Sequence, residues 1–159
     1  MLFLITMPAV LITPKQGSVI MKTRGKILVV DDETAIRDLL SDILEEEGFE
    51  VITAAHASLA AIRGQYVDCI ILDLHLSPEH SMEGGNILVH FWEDTNCKVP
   101  VIIFSSFLGI LSVEETLKKI ETVCGKGRNI FRCVPKSIGV KPLIAAVNDC
   151  FEREHAALR

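Results

Sequence analysis

The sequence lacks a CxxC pair, a long run of basic residues and an apolar segment of the ~20 residues that a membrane helix needs. Its five cysteines are widely spaced, which argues against a disulfide framework or a zinc site and predicts reduced, mostly buried thiols in a cytoplasmic protein. A net charge of −5 without a basic run argues against nucleic-acid binding. What remains is the composition of one globular domain: 159 residues, of which 49% are hydrophobic and 23% charged.

The first 24 residues differ from the rest of the chain. Residues 1–13 are apolar, but Pro8 and threonines interrupt them, and the basic leader of a secretory signal is missing. We therefore expect residues 1–24 to be an N-terminal extension, either disordered or read from an upstream start codon, without membrane insertion. A membrane or partner anchor is the alternative. Residues 25–155 are expected to form the folded domain.

From Lys26 onward, short apolar runs alternate with helical patterns. The runs predict strands at residues 27–30, 50–53, 69–72, 101–104 and 129–134. The pattern of the first helix has an apolar stripe of Ile36, Leu39, Leu40, Ile43 and Leu44. Strict alternation predicts right-handed crossovers and a three-layer α/β fold, in which helices cover both faces of a doubly wound parallel sheet.

Helix boundaries also carry signals in the sequence. Gly48 is expected to end the first helix, and Ser112 with Glu115 fits a capping box at the start of the fourth. Pro142 suits the first turn of the last helix. Shorter or less regular patterns predict a helix at about residues 58–64 and another from Gly85.

Polar residues follow four of the five predicted strands at the point where each strand ends. These residues are Asp31 and Asp32, Asp73, Ser105, and Lys136. Each has an ordinary structural interpretation, for example Asp32 as a helix N-cap or Lys136 as a surface lysine. Because the carboxyl ends of parallel strands meet at one edge, their joint occurrence favours a functional site there.

The chemistry of these side chains narrows the function. Two carboxylates ~4 Å apart repel by roughly 4 kcal/mol at an effective dielectric constant near 20. Three of them in one pocket need protons or a cation, and oxygen ligands suit Mg²⁺. With a metal, an ammonium and a hydroxyl available for phosphate oxygens, Asp73 is placed to act as a nucleophile. The set predicts phosphoryl transfer to Asp73.

Four motifs together resemble the receiver domain of two-component response regulators. They are ILVVDDE at residues 27–33, IILDL at 70–74, PVIIFS at 100–105, and Pro135-Lys136. The resemblance covers about residues 26–154. It implies a flavodoxin-like fold with strand order 2-1-3-4-5, in agreement with the alternation of strands and helices.

The resemblance also implies a role for each site residue. Asp73 corresponds to the phosphoacceptor, which takes a phosphoryl group from a histidine kinase or a histidine phosphotransfer protein. Asp31, Asp32 and Asp73, with the main-chain carbonyl of His75, correspond to the Mg²⁺ ligands. Ser105 corresponds to the switch hydroxyl, and Lys136 to the lysine that pairs with the phosphoryl group.

The sequence departs from the family pattern at two positions, Cys133 and Ser137. Cys133 stands where the family usually has an aromatic switch residue, and Phe131, two residues earlier, is expected by strand alternation to point the same way. Ser137 stands in place of a proline, so a trans peptide bond is expected before it. Phe107 is hypothesised to shield the phosphoryl group from water and slow its loss.

Three functions follow as alternatives. The favoured one is a single-domain response regulator, in which phosphorylation changes a surface around the fourth helix and fifth strand that a downstream protein effector reads. It would carry out its own phosphoryl transfer and slow dephosphorylation without a separate enzyme domain. The second is a degenerate receiver that docks partners independently of phosphorylation. The third, a phosphohydrolase of the dehalogenase type, usually has a second aspartate where this chain has His75.

Overall fold

The computed structural model describes residues 23–55, 66–74, 99–109 and 130–157, together with residues 112, 114, 115, 117 and 118. Within them, five strands form a single sheet: β1 (Lys26–Val30), β2 (Glu50–Ala54), β3 (Cys69–Leu72), β4 (Val101–Ser105) and β5 (Ile130–Pro135). Helix α1 (Thr34–Glu46) follows β1, and the C-terminal helix (Lys141–Ala157) follows β5. The predictions for residues 1–22, for a helix at 58–64 and for a helix from Gly85 lie outside the described residues.

All neighbouring strands are parallel, and their order across the sheet is β2-β1-β3-β4-β5. This order confirms the predicted flavodoxin-like sheet. The strand order reverses between β1 and β3, which are adjacent in space although β2 separates them in the sequence. In doubly wound folds, the carboxyl ends of the strands at such a reversal form the ligand crevice.

Hydrophobic clusters cover both faces of the sheet. The cluster beneath the two long helices includes Val29, Ile71, Ile102, Leu40, Leu44, Leu143 and Val147. Because β1, β3 and β4 contribute buried residues to both faces, their sequences are continuous apolar runs. Leu39 was predicted to lie in the buried stripe of α1 but is 42% exposed. Burial centres on Leu40 and Leu44, and Leu39 lies about 100° away from Leu40 around the helix axis.

Strand β5 contains a bulge where it passes the start of β4. Val101 pairs with Ile130, but the next residue of β4 pairs with Arg132, so Phe131 is an extra residue on β5. As a result, Phe131 packs against the cluster beneath the helices, whereas Cys133 packs against the cluster on the other face. The prediction that these two side chains point the same way is wrong, because strand alternation does not continue through a bulge.

Local signals at the helix ends have mostly the predicted roles. Gly48, with a φ of +89°, follows the end of α1. Ser112 and Glu115 form a reciprocal capping box, since each side chain accepts the other's backbone N–H, at 2.9 Å and 3.2 Å. The N-cap of α1, however, is Glu33 rather than Asp32, because three loop residues separate β1 from the helix.

Two further predictions, free thiols and a trans peptide bond before Ser137, are confirmed within the described residues. Cys69, Cys133 and Cys150 are free thiols, and the first and last of these are buried. The peptide bond before Ser137 is trans. No helix in the described ranges combines the length and the apolar character of a membrane span.

Candidate functional site

Three buried polar side chains lie at the carboxyl edge of the sheet. Asp31 follows β1, Asp73 follows β3 and Ser105 ends β4, and they are 2%, 3% and 0% exposed. Their proximity follows from strand register, because Val30 lies beside Leu72 in the sheet. The Asp73 N–H donates to the Val30 carbonyl at 2.9 Å, which continues the sheet bonding one residue beyond β3.

The two carboxylate oxygens of Asp73 have different partners. The Ser105 hydroxyl donates to Oδ1 at 2.6 Å, and the Lys136 ammonium donates to Oδ2 at 2.6 Å. Both donors come from the ends of neighbouring strands, since Ser105 pairs with Pro135 across β4 and β5 and Lys136 is the next residue. The structure therefore brings together the three side chains that were predicted to act on a phosphoryl group.

Lys136 also binds the acidic segment that follows β1. Its ammonium lies 2.8 Å from Asp31 Oδ2 and 3.4 Å from Glu33 Oε1. Burial by itself lowers the pKa of Lys136, but the hydrogen bonds and charges of Asp31 and Asp73 outweigh this effect and raise the pKa above its ordinary value. Lys136 is therefore charged at neutral pH, and it is the shared counter-ion of the two buried carboxylates.

The charge of Asp31 is only partly compensated. Desolvation raises the pKa of Asp31, and the charge of Asp73 adds to this effect. Hydrogen bonds from Lys136 and from the Glu33 N–H, at 2.8 Å and 2.9 Å, oppose it, but the net pKa remains above its ordinary value. A second cation near Asp31 would therefore be stabilising.

The acidic residues have the donor set of a metal site. One carboxylate oxygen from each of Asp31, Asp32 and Asp73 lies within 4.8 Å of the other two. These three carboxylates share the single ammonium of Lys136, so a divalent cation among them would reduce their mutual repulsion. Carboxylate oxygens are hard ligands of the kind that Mg²⁺ takes in proteins. The residues thus fit Mg²⁺.

Glu33 and Arg37 contact this site although neither is among the residues predicted from the sequence. Glu33 is the third acid beside Lys136, and the guanidinium of Arg37 donates to the main-chain carbonyls of Asp31 and Asp32 at 2.7 Å and 2.9 Å. The sequence does contain a signal for Arg37. It lies one helical turn after Glu33, and helical side chains lean toward the N-terminus, in this case toward the acidic loop.

Cys133 packs against the hydrophobic cluster on the face of the sheet away from the two long helices. Burial raises the pKa of its thiol to about 11, so the thiol is protonated at neutral pH. Phe131, on the opposite face, has the guanidinium carbons of Arg132 and Arg153 at 5.5 Å and 5.2 Å from its ring centroid. Phe131 and Cys133 therefore lie on opposite faces of the sheet, and the Phe131 ring does not stand in for a side chain at position 133.

Other predicted features fall outside the described part of the chain. They are the His75 carbonyl as a metal ligand, the side chain of Phe107 as a water shield, and most of the fourth helix. Their predicted roles stay predictions.

Comparisons with known proteins give one consistent match. The family described as response regulator receiver domain matches residues 27–148, a range that contains Asp31, Asp32, Asp73, Ser105 and Lys136. A probable transcriptional regulatory protein of Mycobacterium tuberculosis, TcrX, is 34% identical over 82 residues, which cover 50% of this chain and 33% of that protein. A protein-glutamate methylesterase/protein-glutamine glutaminase of Caldanaerobacter subterraneus subsp. tengcongensis is 32% identical over 129 residues, or 77% of this chain and 33% of that protein. The chain thus spans about a third of the length of these two curated relatives.

A solved structure agrees with the sequence matches. The CheY-like response regulator receiver domain protein from Methanospirillum hungatei JF-1 superimposes with a TM-score of 0.66 at 25% sequence identity. The likeness covers 83% of this chain and 97% of that one, so it includes almost the whole of the compared domain.

Proposed function

Because the chain belongs to the family of response regulator receiver domains, we propose that Asp73 accepts a phosphoryl group from a histidine kinase or a histidine phosphotransfer protein in a Mg²⁺-dependent reaction. The observation that carries the proposal is the position of the Asp73 carboxylate, with Ser105 and Lys136 each 2.6 Å from one of its oxygens. A nucleophile held between an alcohol and an ammonium, beside two further acids, has the parts that phosphoryl transfer needs.

The proposed reaction is a displacement at phosphorus. A lone pair of an Asp73 carboxylate oxygen forms the new O–P bond while the N–P bond of the donor phosphohistidine breaks. The electron pair of that bond stays on the imidazole, which takes up a proton from solvent. Lys136 provides positive charge to one phosphoryl oxygen, and Ser105 provides a hydroxyl donor to another.

Asp31, Asp32 and Asp73 would hold the Mg²⁺, with the main-chain carbonyl of His75 as a further ligand. When bound, the ion neutralises the negative charge of the phosphoryl oxygens. Burial of Asp31 supports this role, since a carboxylate with a raised pKa gains more from a nearby cation than a solvated one does.

The acceptor role can be tested with a small phosphodonor. Incubation with acetyl phosphate and Mg²⁺ is expected to add one phosphoryl group to the peptide that contains Asp73, as read by mass spectrometry. Omission of Mg²⁺ and the substitution Asp73→Asn are each expected to abolish it. Asp68→Asn is the matched control, because Asp68 precedes the same strand at the opposite edge, where its carboxylate accepts the Lys26 N–H at 2.8 Å. Absence of Mg²⁺-dependent label on the parent chain would contradict the proposal.

Phosphorylation of Asp73 is proposed to be transmitted to the protein surface by a movement of β4 and β5, which end at the site. Ser105 ends β4, which pairs along its length with β5, so a shift of the hydroxyl toward a phosphoryl group would move this pair of strands. A protein effector would then read the surface around the fourth helix and β5. Hydrogen exchange of the β5 amides, with and without acetyl phosphate, tests the coupling: unchanged exchange would contradict it.

A docking module that works without phosphorylation is the second candidate. The observation in its favour is the replacement of the family's aromatic switch residue by Cys133, while Phe131 packs on the opposite face of the sheet. A partner that binds the parent chain and the Asp73→Asn variant with equal affinity, with and without phosphodonor, would favour this function.

Residues 25–155 are proposed to be the receiver unit, which would act in the cytoplasm without binding nucleic acid or inserting into a membrane. Loss of the phosphoryl group is proposed to be slow, with Phe107 as its shield. A half-life of seconds for the labelled chain would contradict the slow loss, and unchanged decay in Phe107→Ala would contradict the role of Phe107.

A further inference from the structure

Arg37 makes three side-chain hydrogen bonds around the loop that carries the acidic pair. One terminal nitrogen donates to the main-chain carbonyls of Asp31 at 2.7 Å and Asp32 at 2.9 Å. The other donates to the Thr34 hydroxyl at 2.9 Å. The guanidinium therefore ties the peptide groups of both acidic residues to the first turn of α1.

Two electrostatic effects oppose a cation at this location, although the nearby carboxylates attract it. The N-terminal turn of a helix carries partial positive charge and disfavours a basic side chain. A divalent ion at Asp31, Asp32 and Asp73 would be repelled by it as well. The guanidinium contributes a fixed arrangement of hydrogen bonds, because its planar fork of donors reaches several oxygens at once. A lysine ammonium on a flexible stem does this less well.

The remaining contacts of Asp31 come from different directions. Its N–H donates to the Ala54 carbonyl at 3.1 Å, and its carboxylate accepts the Glu33 N–H at 2.9 Å and binds Lys136. Arg37 holds the carbonyl side of the same residue and continues to Asp32. Loss of the Arg37 hydrogen bonds would loosen the backbone at Asp31 and Asp32. The carboxylates of these two residues lie within 4.8 Å of Asp73 and of one another.

We infer that Arg37 is a positioning residue for the metal site, which fixes the Asp31–Asp32 backbone so that both carboxylates reach the ion bound beside Asp73. The inference rests on the proposed function in taking this acidic cluster as the metal site. Outer hydrogen-bond partners of metal ligands typically contribute about 10–100-fold to metal affinity. Simple charge removal would act in the opposite direction and tighten metal binding.

The two effects change the metal affinity in opposite directions, so an affinity measurement distinguishes them. Mn²⁺ serves as the probe, and the electron paramagnetic resonance signal of free Mn²⁺ gives the affinity of the full chain at fixed ionic strength. Arg37→Ala, and Arg37→Lys, which keeps the charge but loses the fork, are each expected to weaken binding by roughly tenfold or more. Arg132→Ala is the matched control: it removes an exposed guanidinium that pairs with Asp149 at 2.9 Å, and it should bind as the parent does.

The possible outcomes separate this role from a purely structural one. Thermal unfolding without metal is measured in parallel, because a merely structural arginine would lower stability but leave the Mn²⁺ affinity of the folded protein unchanged. Equal or tighter binding by Arg37→Ala overturns the inference, and Arg37→Lys decides alone if the alanine variant does not fold. If the parent binds Mn²⁺ and loses it in Asp31→Asn but not in Arg37→Ala, only the inference fails. If the parent binds no Mn²⁺, the proposed metal site fails with it.

Discussion

Phe131 and Cys133 are two residues apart on β5, and their side chains pack against opposite faces of the sheet. We therefore expect Phe131→Leu to leave the site unaffected. The smaller side chain should lower the free energy of unfolding by about 1 kcal/mol, through lost packing beneath the C-terminal helix. The rate of Mg²⁺-dependent labelling of Asp73 by acetyl phosphate should not change. A severalfold change in that rate would show that Phe131 is coupled to the site despite its position.

Lys136 compensates the charges of two buried carboxylates, so its removal should destabilise the protein in a way that Mg²⁺ relieves. We expect Lys136→Met to lower the free energy of unfolding by about 3 kcal/mol without Mg²⁺, since loss of one partner leaves buried charge uncompensated. Urea unfolding with and without MgCl₂ measures both the loss and its partial recovery. Lys26→Met is the control: its ammonium pairs with the exposed Glu50 at 2.7 Å, and its loss should cost little and be insensitive to Mg²⁺. A Lys136→Met variant as stable as the parent would contradict the prediction.

The raised pKa of Lys136 has a consequence at alkaline pH. Its ordinary value is 10.5, and the hydrogen bonds and charges of Asp31 and Asp73 raise it despite burial, which acts in the opposite direction. A lysine whose pKa is higher in the folded state contributes stability that is complete below the unfolded pKa and is lost as pH rises through the folded pKa. The stability difference between the parent and Lys136→Met should therefore be constant from about pH 8 to about pH 10 and shrink above that range. Urea unfolding at a series of pH values tests this, and a difference that already shrinks near pH 8 would contradict it.

Gly25 precedes β1 at a point where the backbone approaches the ring of Phe151. A Cβ atom at Gly25 would overlap the Phe151 ring, and the backbone φ there is +156°. We expect Gly25→Ala to lower the free energy of unfolding by about 3–4 kcal/mol, because the buried Phe151 ring would have to move and this cost adds to the backbone strain. Gly139→Ala is the comparison, since Gly139 has a φ of +84° and a ψ of −174° but no atom within 4 Å of an added Cβ, so that backbone strain alone should cost about 1–2 kcal/mol. Similar values for the two variants, from urea unfolding, would contradict the overlap.

Much of the site could be predicted from the sequence because strong local signals coincide there. Asp73 and Ser105 each follow an apolar run that is buried on both faces, so the polar residue marks the strand end. Parallel pairing then places these ends side by side, where the Ser105 and Lys136 side chains reach Asp73 at 2.6 Å. The fold followed from the same alternation of runs and helical stripes.

Features that depend on single backbone irregularities or on long side chains could not be predicted. The bulge beside Val101 changes the face on which Phe131 lies, and the sequence of β5 contains no glycine that would mark it. The bonds from Arg37 to two carbonyls depend on the path of the three-residue loop between β1 and α1. Burial of Leu40 rather than Leu39 depends on the angle at which α1 lies on the sheet.

The pairing of Val30 with Leu72 constrains how this chain can diverge. Side chains alternate along a strand, so gaining or losing a single residue inside β1 or β3, without a bulge like the one in β5, would send Asp31 or Asp73 to the wrong side of the sheet. Descendants that keep the chemistry are therefore expected to tolerate changes of length only in the connections between these strands. The lengths of β1 and β3 are therefore expected to be under stronger selection than the identity of any single apolar residue in them.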